Sequence, residues 1–139
     1  MSFDLTSLTI DESISKGGVW VDWLGDSRLK ISSTNSNSYK AAVARLYKEN
    51  RLRLDDSNSE NYRLIQEITA KALARYILTD WEGINFLDAK GNTVENIPYS
   101  TEVGERALLK VDALREFVSE QAGRPALFNK EIVEEAVKN

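Results

Sequence analysis

The chain has 139 residues, 42% hydrophobic and 29% charged, with a net charge of −4 and a pI near 5.0. It contains no histidine and no cysteine, which excludes disulfides and Ser-His-Asp or Cys-His catalysis within the chain and leaves only oxygen ligands for a metal. No apolar run approaches the ~20 residues of a membrane span, and the opening MSFDLTSLTIDES carries acids without Lys or Arg, unlike a secretory signal. The length suits a single domain over residues 1–139, and the missing cysteines fit a reducing cytoplasm.

Residues 1–16 are polar with scattered apolar positions and are expected to be loosely ordered. In GGVWVDWLGDSRLKISS, Val19, Val21 and Trp23 alternate with Trp20, Asp22 and Leu24. β-Branched and aromatic residues at period two favour a strand. Gly25-Asp26-Ser27 supplies a turn, and Leu29 and Ile31 resume the alternation, which predicts a β-hairpin. Trp20 and Trp23 have opposite parity, so one can enter the core while the other stays exposed unless something covers it.

STNSNS, residues 33–38, offers several N-caps. The helix after it carries Tyr39, Ala42, Val43, Leu46 and Tyr47 on one stripe. LRLDDSNSEN breaks the pattern. A second helix from about Glu60 carries Tyr62, Ile65, Ile68, Ala72, Tyr76 and Ile77, broadened by Leu64, Leu73 and Leu78. Gly83 then stands as a C-cap glycine, with Trp81 in the last turn closing the helix end. Ile84, Phe86 and Leu87 lead into DAKGN, a hairpin loop, and TVENIPY is the return strand. Ser100 caps a third helix with Val103, Ala107, Leu108, Val111, Leu114, Phe117 and Val118, which ends at AGRP. A short helix from Lys130, capped by Asn129, closes the chain. The expected class is α+β, mainly α.

Charge is unevenly placed. Residues 1–25 have one Lys/Arg against four Asp/Glu, residues 26–75 have ten against six, and residues 76–139 have seven against twelve. The basic middle and the acidic end fit attraction between chains, and equally solvated faces that differ in sign. The acid pairs Asp55/Asp56, Asp80/Glu82 and Glu134/Glu135 are neighbours in sequence rather than groups converging from separate elements, so no catalytic, cofactor or metal residue is assigned. DAKGN lacks the later oxygen ligands of a calcium loop. Lys40, Arg45, Lys48, Arg51 and Arg53 beside Tyr47 are the one basic-aromatic run, and the acidic whole argues against nucleic acid.

The hairpin at Val19–Ile31, DWEGI at 80–84, the PYS entry to the third helix, LREFV and the late Phe128, in that order, resemble the tail assembly chaperones of long-tailed bacteriophages. The likeness runs from about Gly18 to Phe128 and lies in the order of features. It implies a non-enzymatic protein of the host bacterial cytoplasm, without cofactors, that binds the tape measure protein, keeps it soluble and promotes polymerisation of the tail tube protein around it. It also implies a homo-oligomer, no binding to nucleic acid or membrane, and absence from the mature virion. Such chaperones are often made in a longer frameshifted form, and codons AAA AAC for Lys138-Asn139 would help supply the slippery run. The contact residues expected are Trp20 and Trp23, with an exposed edge of Trp81 as a secondary contact. The rival readings are a head or tail completion protein that stays in the virion and, less favoured, an oxygen-ligand metal-dependent nuclease.

Overall fold

A computed structural model describes residues 2–51 and 60–129. The fold is α+β and mainly helical, 53% helix to 15% strand. A 3-10 turn at Leu5–Leu8 precedes α1 (Glu12–Gly17), β1 (Val19–Asp22), β2 (Arg28–Ile31), α2 (Asn37–Glu49), α3 (Glu60–Tyr76), β3 (Leu78–Glu82), β4 (Phe86–Leu87) and β5 (Thr93–Val94). The helices α4 (Thr101–Lys110) and α5 (Asp112–Ala122) and a second 3-10 turn at Pro125–Phe128 follow. The helix expected from Lys130 lies outside the described residues, as does most of the LRLDDSNSEN break.

β1, β2 and β3 form an antiparallel sheet in that order, and β4 and β5 form a separate hairpin. Sheet, α3, α4 and α5 share one core built from Leu29, Ile31, Leu73, Ile77, Leu78, Trp81, Leu108, Leu114, Val118 and Phe128. A smaller cluster of Leu46, Leu64, Ile68 and Ala72 joins α2 to α3. So α3 is buried along two faces. The residues expected on its single stripe divide: Leu64, Ile68 and Ala72 are buried, whereas Tyr62 and Ile65 are exposed. Packing on two sides, rather than one amphipathic stripe, selects the buried set.

Three expectations are corrected. The second helix stops at Tyr76, and Leu78–Glu82 is a strand. β2 pairs it through Leu29↔Trp81 and Lys30↔Asp80, with a register shift at Lys30/Ile31. Ile77 and Leu78 fit either pattern, and pairing the open edge of β2 decides between them. The third helix is broken at Val111, whose backbone is extended at φ −108°, ψ 97°. The Arg115 guanidinium donates to the Leu108 and Leu109 carbonyls at 2.9 and 3.3 Å and pairs with Asp112 at 2.6 Å. It thereby caps α4 where a continuous helix would have satisfied those carbonyls itself. Finally, residues 2–16 contain regular elements rather than a loose lead-in. The Asp11 amide donates to Phe128 O at 3.0 Å, and Asn129 Nδ2 donates to Thr6 and Thr9 O at 3.1 and 3.0 Å. These bonds tie the start of the chain to residues 128–129.

Candidate functional site

The turn between β1 and β2, the β3–β4 connection and the α4–α5 break meet around an apolar groove of about 340 Å³. Each wall has a local cause. Trp23 ends the inward parity of β1 and packs against Phe117 with ring centroids 6.0 Å apart. Its amide donates to Ser27 O at 2.9 Å, closing the turn and leaving Leu24 68% exposed at the tip. Ile84 and Phe86 form the second wall. Val111, 40% exposed because the helix breaks there, and Leu114 form the third.

Trp81 lies at the base of this groove, 4% exposed. Its Nε1–H donates to Ile97 O at 2.7 Å. Its ring meets Tyr99 edge-on at 5.0 Å and Phe86 at 6.2 Å. An aromatic cluster with its polar atom satisfied is a rigid support. The expectation of an exposed Trp81 edge on a helix end is therefore replaced by a buried ring on a strand.

Trp20 stands apart from this groove. It pairs with Lys30 across the β1–β2 ladder and points away from the core side occupied by Leu29 and Ile31. The Arg28 guanidinium lies 4.9 Å and the Lys30 ammonium 5.9 Å from its ring centroid, within cation–π range. Arg28 is also 3.6 Å from both Asp22 and Glu82. The outer sheet face is thus a half-buried indole set among charges of both signs. The structure brings Trp23 and Trp81 together and leaves Trp20 on the other face.

Among the described residues the acids show no converging arrangement. Asp80 Oδ1 accepts from the Trp81 amide at 2.8 Å, and Glu82 faces Arg28. Asp88 accepts from the Lys90 and Asn92 amides at 2.9 Å each, so its carboxylate holds its own loop together. Among the described residues no three Asp or Glu side chains are grouped to hold a metal ion. Asp55, Asp56, Glu134, Glu135 and Arg53 lie outside the described residues. Burial, with Asp80 as a lesser cause, pushes the Tyr99 hydroxyl well above the ordinary tyrosine range. That hydroxyl lies 2.6 Å from the Ala74 and Leu78 carbonyl oxygens, where a neutral donor is required.

Sequence reasoning missed Leu24, Ile84, Phe86 and Val111 as parts of one surface. Leu24 beside Gly25 carried a signal, being a large apolar side chain at a hairpin tip, where no partner strand covers it. Val111 carried none, because its stripe position reads as core in an unbroken helix. No curated protein and no solved structure matches the chain. Residues 34–139 match the model of a family described as YdaY prophage protein, and the chain belongs to that family.

Proposed function

We propose that this prophage-family chain is a tail assembly chaperone that acts by binding rather than by catalysis. It holds the tape measure protein, a long helical chain with apolar stripes, in soluble form while tail tube protein assembles around it. The observation that carries the reading is the open apolar groove between Trp23, Leu24, Ile84, Phe86 and Val111. A rigid aromatic base with exposed aliphatic walls accepts side chains from the apolar stripe of a partner helix. The resemblance of residues 18–128 to tail assembly chaperones supplies the identity of that helix, and membership of a prophage family agrees with it.

Co-expression with the large helical tail protein encoded nearby tests the reading. The soluble fraction of that protein is expected to rise with the parent chain and to fall back with Leu24→Asp. Leu24 is 68% exposed, so the substitution leaves the fold intact. Equal solubility with and without the chain would refute the proposal. Mass spectrometry of purified particles separates the chaperone, which is expected to be absent, from a completion protein that remains in the virion.

A further inference from the structure

The polar run at residues 33–38 holds more hydrogen-bonding groups than its local structure uses. Ser36 caps α2, accepting from the Tyr39 amide at 3.2 Å, and the Ser33 hydroxyl accepts from the Asn35 amide at 3.1 Å. Thr34 donates its amide and its hydroxyl to Ala122 O at 3.1 and 3.3 Å, which fixes the run against the end of α5. The Asn35 and Asn37 carboxamides and the Asn37 and Ser38 amide N–H groups have no hydrogen-bond partner among the described residues. Asn35, Asn37 and Ser38 line an open cavity of about 430 Å³ between the start of α2 and α1.

The other wall comes from α1. Ser15 lines the cavity and is only 7% exposed. Its amide donates to Asp11 O at 2.9 Å and its carbonyl accepts from the Ser33 amide at 3.4 Å, but its hydroxyl has no partner among the described residues. A buried hydroxyl with nothing to bond is costly, and a ligand oxygen in the cavity would satisfy it. Lys16, in the last turn of α1, lines the same wall and forms no ion pair among the described residues. Glu12 also lies on this wall and opposes an anion. The N-terminus of α2, a helix of 13 residues, carries about half a positive charge. With Lys16 it outweighs the single negative charge of Glu12.

We infer that this cavity binds a phosphate group, free or carried on a small polar molecule. The phosphate oxygens accept from the Asn37 and Ser38 amides, the Ser15 hydroxyl and the Lys16 ammonium. Unpaired amides at a helix N-terminus beside a cation favour a phosphate over a neutral ligand. The volume exceeds that of a bare phosphate, and the Asn35 and Asn37 carboxamides suit hydroxyl groups on a carrier. The site shares no lining residue with the apolar groove, so the inference stands apart from the chaperone reading.

The test is an amide NMR titration of the full chain with inorganic phosphate, against chloride at matched ionic strength. Phosphate is expected to shift the Asn37 and Ser38 amides saturably, and chloride is not. Ser15→Ala is expected to weaken binding about fivefold through loss of one hydrogen bond. Lys16→Gln is expected to weaken it about threefold, and Glu12→Gln to tighten it about threefold, as exposed charges do. In phosphate-free buffer Ser15→Ala is expected to melt no lower than the parent, because the hydroxyl it removes is unpaired. A parallel titration with ribose 5-phosphate distinguishes the source: tighter binding assigns the site to a phosphorylated sugar, equal binding to the free anion. No saturable shift with either phosphate would overturn the inference, as would Ser15→Ala and Lys16→Gln chains that bind like the parent. Weaker binding by Glu12→Gln would overturn it in favour of a cationic ligand.

Discussion

Gly83 and Gly104 lack a side chain for different reasons, and both can be tested. Gly83 has φ +70°, and a Cβ there would lie 3.0 Å from Asp26 O and 3.3 Å from Ser27 Cα. Strain and crowding both oppose Gly83→Ala, which is expected to destabilise by more than about 1 kcal/mol in urea unfolding. A gain in stability would contradict the close approach of β3 to the hairpin turn. Gly104 is helical, where alanine ordinarily stabilises by about 1 kcal/mol. Here the added Cβ would meet the Tyr99 ring at 2.5 Å, displacing a hydroxyl that bridges α3 and β3. Tyr99 also sets a pH dependence. Its folded pKa is raised, so its contribution is complete below the unfolded value near 10 and is lost as pH rises through the folded value. Thermal melts are expected to fall above about pH 10, and less steeply for Tyr99→Phe. Parallel alkaline limbs for the two proteins would show that Tyr99 is not responsible. The sequence predicts a positive φ at Gly83 as a helix C-cap, whereas Gly83 follows β3 and not a helix, so its conformation belongs to the β3–β4 connection beside Asp26 and Ser27. The need for glycine at 104 was not legible, since the ring that fills the space comes from outside α4.

The elements that follow one local pattern were readable, and those decided by distant partners were not. Ser36 and Ser100 cap α2 and α4, accepting from the Tyr39 and Val103 amides at 3.2 Å each. The Val19–Ile31 hairpin and the β4–β5 excursion likewise carry alternation and turn residues in one stretch. β3 is different, because Leu78–Glu82 continues the apolar period of α3 and becomes a strand only beside β2. The α4–α5 break is different again, since Val111 and Leu114 continue a helical stripe across it. Arg115, with a side chain 9% exposed, is the physical reason for the break. Arg115→Met removes its bonds to the Leu108 and Leu109 carbonyls and leaves Asp112 unpaired. Each lost bond to a charged group contributes about 1.5–3 kcal/mol, so the urea midpoint should drop while the slope stays the same. An unchanged midpoint would assign the break to the packing of Val111 alone.

For the whole molecule, the helices cover one face of the three-stranded sheet, the Trp20 face carries alternating charges, and the groove opens where three connections meet. The α+β class was legible from composition and periodicity. That Trp23 and Trp81 would share a groove was not, because its walls come from three separated stretches of chain. Hydrogen–deuterium exchange on the complex with the helical tail protein tests the central claim most directly. Amides around Trp23–Leu24, Ile84–Phe86 and Val111–Leu114 are expected to gain protection on binding, while those of the Trp20 face change little. A soluble complex in which these three segments exchange as fast as in the free chain would contradict the account.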